Sequence, residues 1–530
     1  MRFLLFFVAI VAAFIAAPRS AAKNADIWHR GETAHFVIYS TGKQDELVKF
    51  ARDLEKFDGL LRFWFQKPDR GLGDKIEIFM LDNQRQVARL LDARGVAGYY
   101  IAQIEGTHAV AHRKDAGMRG LSGQRVLFHE YAHHFMYSEF DTPTPAWLSE
   151  GFAEFLGTTE FEDDGSWTFG KPASHRGREL RYYDDPQIER LLKWPDEEMK
   201  IITGFYGWSW ALTHMLYTAP DQGARISAYI DRLADGEEPI PAAEAVFGDL
   251  DRLERDLRNH VRRRIDFAVS TQAFDWVDSV EVSTLSAGAS RMLELRLRRL
   301  GGGDLENVAK ELEAFSSEDL YAAEALAELA RTEFSIEASE RTKHANENED
   351  KEGYGEPGGP WFVEAEKAAD RALAIDPENV SANITKGRIG LIRLNESEDN
   401  DSLTRDDWKT ARRYIQRANK ADPSNTEALY RLANSFTLEG RESAYMFDAF
   451  GAAYLRAPQT RRYRISLAYD MARLGRYDQA IALLQMLAND PHFPEYGQKA
   501  VKRIEMMRET GAKFPPKLPE DEEEGEDEDS

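Results

Sequence analysis

The spacing of apolar positions changes character along the chain. Residues 35–41 and 75–81 are rich in β-branched and aromatic side chains and read as strands, while 45–65 between them carries the period of a helix. Two short runs, 98–103 and 107–112, are joined by Ile104-Glu105-Gly106 and predict a hairpin. Residues 124–137 then run without Gly or Pro behind Ser122, a side chain suited to cap a helix. Asp141-Thr142-Pro143-Thr144-Pro145 stops that helix, and a second is expected to begin with Thr144 as N-cap and Pro145 at its first position, where no N–H is needed. Residues 160–195 are polar and Gly-rich and read as loops, followed by an aromatic helix over 206–216.

From residue 283 the composition shifts to Ala, Leu, Glu and Arg at helical spacing. Four related phrases end in Pro377, Pro423, Pro458 and Pro491, at spacings of 46, 35 and 33 residues. Two of these lie near the period of about 34 of tetratricopeptide repeats. Gly475-Arg476-Tyr477-Asp478-Gln479-Ala480 has the form of the turn into the second helix of such a unit, and 305–330 reads as an earlier, degenerate helix pair. Residues 341–359 and the acidic stretch 395–401 read as flexible inserts. Stacked helix pairs bury a continuous core and leave a concave face for a partner.

Chemistry concentrates in His129-Glu130-Tyr131-Ala132-His133 and in Trp147-Leu148-Ser149-Glu150-Gly151-Phe152-Ala153-Glu154. On a helix, His129 and His133 at i and i+4 share a face and can share a metal ion, with Glu130 beside them in reach of the water such an ion activates. Zinc catalysis takes three protein ligands and an open position, and Glu150 is the obvious third ligand of a His₂Glu site for Zn²⁺. Glu154 lies one turn further on the same face, where it can accept the spare ring N–H of His129.

These residues resemble the gluzincin metallopeptidases, whose third ligand is the first Glu of an E-x-x-x-[ED] helix. More closely they resemble the peptidase-MA-like domains of exported bacterial proteins, many of which carry tetratricopeptide repeats behind the catalytic domain. The metzincin pattern would need Gly at 136 and His at 139, where this chain has Met136 and Glu139. The resemblance implies an α+β domain with a small sheet, hydrolysis of peptide bonds with Glu130 as general base, and a substrate-binding edge strand at 108–112. It also implies an oxyanion donor from a later helix, Tyr206 as first choice and His214 as second. His108 and His112 are expected at the rim or in a structural role, since the metal already has three ligands.

Composition narrows the setting. The chain has 530 residues, 42% of them hydrophobic and 11% aromatic, enough for two or three globular domains. Formal net charge is −24; nine of those charges lie in residues 520–530, and the remaining −15 argues against nucleic acid or an anionic membrane as partner. Arg2, the apolar run 3–17 and Ser20-Ala21-Ala22 have the layout of a secretory signal, with membrane attachment expected only if that segment stays uncleaved. No cysteine is present, so disulfides, thiolate zinc sites and thiol nucleophiles are excluded. The expected organisation is a signal peptide at 1–22, a gluzincin-like metallopeptidase domain at 23–270, all-α tetratricopeptide-like repeats at 283–509 and an acidic disordered tail at 510–530. The function expected is that of an exported zinc metallopeptidase, periplasmic or secreted, acting on peptides or proteins, with a possible protein partner on the repeats. The alternative is a catalytically weak or inactive envelope scaffold that acts through its repeats.

Overall fold

The computed structural model describes residues 26–91, 96–113, 122–140, 142, 144–194, 204–219, 222–317, 320–347, 362–397 and 402–518. The signal-like segment and the end of the acidic tail lie outside them. The first part of the chain runs β1 (His29–Glu32), β2 (Phe36–Ser40), α1 (Gln44–Phe65), β3 (Ile76–Leu81), α2 (Gln84–Leu90), β4 (Gly98–Gln103), β5 (Gly106–His112), α3 (Gly123–Glu139) and α4 (Ala146–Leu156). It continues through β6 (Glu160–Phe161), β7 (Trp167–Phe169), α5 (Gly177–Tyr182), α6 (Ile188–Lys193), α7 (Phe205–Thr218), α8 (Gln222–Ala234), α9 (Pro239–Phe247) and α10 (Leu250–Arg262), then β8 (Ala268–Ser270) and β9 (Glu281–Thr284). The helical part comprises α11 (Ala287–Leu300), α12 (Leu305–Phe315), α13 (Ala322–Glu347), α14 (Val363–Ile375), α15 (Val380–Asn395) and α16 (Arg405–Ala421). It ends with α17 (Thr426–Leu438), α18 (Ala444–Arg456), α19 (Arg461–Arg473), α20 (Tyr477–Ala488) and α21 (Pro494–Thr510).

Six strands form a mixed sheet in the order β4-β5-β3-β2-β1-β9. Side chains alternate across it with the period of two that a pleated strand imposes. Phe36, Ile38, Ile76, Ile78, Met80, Ala109 and Ala111 face the core shared with α1, α3, α4 and α7. Phe79 and Val110 face the other way, against Val87 of α2 and Leu293 and Leu297 of α11. The first helix after the expected boundary at 283 therefore covers the second face of the sheet, and the boundary itself falls inside β9, which pairs with β1. The sheet-bearing part and the helical part share a core.

The hairpin appears as expected, with Tyr99 opposite Val110 and Tyr100 opposite Ala109. Its edge is the other strand, however. β5 lies inside the sheet between β3 and β4, so among the described residues the edge strand is β4 and not 108–112. Parallel pairing of β5 with β3 makes the difference, because it occupies the ladder of backbone groups that the resemblance leaves for substrate. His108 and His112 are accordingly buried rather than at the rim.

Ser122 caps α3 through the Arg125 N–H, as its position suggests. α4 departs from expectation, since its N-cap is Pro145, which has no side-chain acceptor, and the helix begins at Ala146. Tertiary burial replaces the cap, and every residue of α4 is buried. Residues 160–195 are also more ordered than loops: β6 and β7 join β8 in a small antiparallel sheet, and α5 and α6 follow.

The repeat phrases act as helix stops. α14, α16 and α18 end at Ile375, Ala421 and Arg456, just before the Pro377, Pro423 and Pro458 phrases, because a residue before proline is pushed out of the helical region. Asn379 and Asn425 then cap the next helices through the N–H groups of Ala382 and Ala428. Helices α11 to α21 stack in order along the chain, through small interior residues such as Ala365, Ala369, Ala418 and Ala468. The expected inserts are only partly described. Residues 341–347 continue α13, and the rest of 341–359 lies outside the described residues, as does 398–401. In the tail, 511–518 packs back, with Leu518 buried and Phe514 against the α18–α19 core.

Candidate metal centre

α3 places His129 and His133 on one face, with their Nε2 atoms 3.3 Å apart. Gly123 sets the origin of that helix: a Cβ there would lie 1.9 Å from the His112 carbonyl oxygen, so only glycine lets α3 start against β5. α4 brings in Glu150, whose Oε2 is 3.5 Å from His129 Nε2 and whose Oε1 is 3.4 Å from His133 Nε2. A second close approach fixes α4 against α7, because a Cβ on Gly151 would stand 2.0 Å from Thr213 Oγ1. Four-coordinate zinc with bonds of about 2.0–2.1 Å has donor atoms about 3.3–3.4 Å apart. The two imidazole nitrogens and the two Glu150 oxygens approach one another across two helices at 3.3–3.5 Å, close to that spacing.

The electrostatics agree with the geometry. Glu150 is fully buried, and neither carboxylate oxygen accepts a well-aligned hydrogen bond. A buried carboxylate in that state costs several kcal/mol unless cationic groups face it, roughly the penalty of an uncompensated buried ion. Burial works against its ionisation, but the imidazoles of His133, His492 and His129 outweigh that and hold it well below the usual carboxylate range. The donor set and the orphaned oxygens fit a divalent cation that accepts nitrogen and oxygen ligands.

Surrounding side chains orient the ligands. His133 Nδ1 lies 3.2 Å from Ser149 Oγ, which leaves Nε2 turned to the centre. His129 Nδ1 faces Glu154 Oε1 at 3.7 Å, so the expected partner is in the right place but beyond hydrogen-bond reach. Glu154 is bonded instead by His175 Nε2 and Arg176 Nε, each at 2.8 Å, and is a buried hub rather than a partner of His129 alone. The hydrogen bond from His175, together with His129 and the Arg176 guanidinium, holds its carboxyl at about 2 against the cost of burial. Glu130 is half-buried on the same turn, close enough to act electrostatically on His129, His133, Tyr100 of the edge strand and Tyr206.

Tyr206 opens α7 beside the site, with the Arg176 guanidinium 4.5 Å from its ring centre. Burial and the Glu150 carboxylate push its phenol up, so it stays a donor. His214, the second candidate, is buried elsewhere. Its Nε2 meets the carbonyl oxygens of Gly170 and Asp266 at 3.0 and 3.1 Å, and its Nδ1 meets His260 at 3.0 Å. With both nitrogens committed it is a core histidine.

Three residues at the centre were not legible in the sequence: Ser149, His175 and, most distant, His492. His492 follows Pro491 of the last repeat phrase, and its Nε2 stands 3.0 Å from Glu150 Oε1. Polar contacts between the two parts of the molecule also grip the β4–β5 hairpin. Tyr463 donates to Ile104 O at 2.7 Å, Gln459 to Thr107 at 2.8 Å, and Arg299 and Arg331 both pair with Glu105.

No family model and no curated protein matches this chain. Among solved structures, a thermophilic TPR protein of Thermus thermophilus is similar over 40% of this chain and 96% of that one, at 17% identity and a TM-score of 0.29. Among the described residues the chain is mostly helical, with a small sheet and a stack of consecutive helices in its second half.

Proposed function

We propose that this chain is an exported zinc metallopeptidase whose repeats hold a protein substrate or partner. The observation that carries it is the convergence of His129, His133 and Glu150, with nitrogen and oxygen atoms 3.3–3.5 Å apart, beside Glu130. Those three residues would hold the ion. Zinc, when bound, supplies Lewis acidity toward a carbonyl and makes water a nucleophile near neutral pH. Glu130 takes the proton of the attacking water and passes it to the leaving amine. Tyr206 keeps its phenol proton and donates to the oxyanion that develops on the carbonyl. The edge strand β4 offers backbone groups to an extended peptide. The test is zinc content together with peptide-library cleavage by the full chain and by Glu130→Gln. Zinc retained with cleavage lost supports the proposal, and cleavage retained by the variant defeats it.

The second reading is an interaction scaffold acting through the tetratricopeptide-like helices. It is favoured by the stacked array α11–α21 and by large apolar side chains exposed on it, among them Ile375 and Leu455. A chain that neither binds zinc nor cleaves any peptide, yet retains a partner protein, would select it.

A further inference from the structure

The loop between α20 and α21 reaches from the last repeat into the metal centre, and it is anchored on both sides. Asp490 Oδ1 accepts the backbone N–H groups of His492 and Phe493, each at 2.8 Å. Asp490 Oδ2 accepts the hydroxyl of Tyr137, which lies one turn beyond His133 on α3. Trp194 donates its indole N–H to Pro491 O at 3.0 Å, and Arg464 donates to Tyr137 O at 2.7 Å. So many fixed contacts make the loop part of the wall of the centre, not a removable plug.

Inside that frame, His492 stands between two residues of the centre. Its Nε2 is 3.0 Å from Glu150 Oε1, the same oxygen that lies 3.4 Å from His133 Nε2. Its Nδ1 is 3.5 Å from the Tyr206 hydroxyl, and the two rings stack with centroids 6.2 Å apart. Facing a carboxylate, Nε2 carries the proton, while the stacked imidazole ring holds the Tyr206 side chain in place and leaves its O–H free. The donor atoms lying within 4.8 Å of one another belong to His129, His133 and Glu150, so His492 sits beside the ligand set rather than in it.

We infer that His492 is a positioning residue that completes the centre from the repeat domain, restricting the Glu150 carboxylate through Nε2 and holding the Tyr206 ring by stacking. A carboxylate ligand on a rotatable side chain can swing, and a donor facing one oxygen restricts it, which is how neighbours of metal ligands raise affinity. The repeats are then a structural part of the site as well as a surface for partners. This inference rests on the metal reading above.

The test uses the full chain as wild type, His492→Ala and His492→Gln, whose amide N–H reaches toward the place of Nε2. Three readouts are taken: zinc dissociation constant, visible spectrum with Co²⁺, and melting temperature in chelator. We expect His492→Ala to bind zinc about 10–100-fold more weakly, to change the cobalt bands and to melt as the metal-free wild type does. His492→Gln should restore most of the affinity. Wild-type zinc binding and cobalt bands in His492→Ala would overturn the inference. So would a loss that Gln does not rescue and that comes with an equal fall in metal-free melting temperature, since that marks a purely structural loop. A wild-type chain that binds no zinc would defeat the metal reading itself, and this inference with it.

Discussion

Among the described residues, two clusters bring histidine and buried carboxylate groups within metal-binding distance of each other: His129, His133 and Glu150, and, on the far side of α3, His35, Glu55 and Asp58. Their distances alone do not separate them. Hydrogen bonding does. In the second cluster Glu55 accepts both the backbone N–H and the Nδ1 of His35, at 3.0 and 2.8 Å. Asp58 accepts from Arg62 Nε and from the Tyr131 hydroxyl, each at 2.7 Å. Every carboxylate there has a donor, so the cluster is a finished ion-pair network that ties β2 and α1 to α3. In the first cluster the Glu150 oxygens accept no well-aligned hydrogen bond: His492 Nε2 faces Oε1 from the side at 3.0 Å, and the two imidazole nitrogens of His129 and His133 point at the same space. A satisfied network holds a fold together, whereas an unsatisfied one is built to receive a ligand.

The largest effect that would sharpen this contrast comes from Glu130. Glu130→Gln should lower peptide cleavage by about 10²–10⁴-fold, the usual worth of a general base, with zinc content unchanged. A variant that loses zinc as well would show Glu130 to be a ligand. In the satisfied cluster, Arg62→Leu should cost about 3–5 kcal/mol in denaturant unfolding, because it leaves Asp58 buried and short of its cation. A cost near zero would show that solvent reaches this network.

Ligand support gives a smaller effect. Ser149→Ala and Glu154→Gln should each weaken zinc binding by about tenfold in a competition titration, the lower end for neighbours of ligands. Ser149 acts on His133 directly, while Glu154 acts at 3.7 Å and through His175 and Arg176. Equal affinity in either variant would remove that residue from the account.

The smallest effect is a pH dependence. Burial opposes the charge on His35, but Glu55, Asp58 and Asp69 prevail and push it up to about 9. A raised histidine stabilises the fold fully below its unfolded value near 6.5, and that contribution disappears as pH rises through about 9. Glu55 is held below its usual value, so its share is complete above about 4.5 and is lost in acid. The stability gap between wild type and His35→Gln should therefore be widest near pH 6 and narrow toward pH 10, followed by melting temperature. A gap that is constant with pH would mean that His35 is neutral in the fold.

The part of the centre carried by adjacent helices was legible because i, i+4 spacing translates directly into a shared face. That gave His129, His133, Glu150 and the neighbourhood of Glu154. The hairpin was legible too, from two strand-like runs and a short turn. Which of its strands forms the edge was not, since strand order depends on the parallel pairing of β5 with β3, and neither strand's own pattern records it. The α4 start departs from its sequence signal for a related reason: burial of a whole helix overrides the preference for a capping side chain. The break at 283 marks a real change of composition but not of packing, because β9 and α11 serve the sheet of the first domain. His492 left no local signal at all. It follows a repeat proline as Glu378, Ser424 and Gln459 do, and only the stacking of the helices brings it to Glu150.

The comparison of the two clusters is tested most directly by zinc titration calorimetry on the full chain and on two variants, one from each cluster. Wild type should take up one zinc per chain, His133→Ala should take up none, and His35→Gln should bind as wild type does, even with its fold weakened. Zinc uptake that survives His133→Ala and vanishes in His35→Gln would place the ion in the other cluster and contradict the assignment.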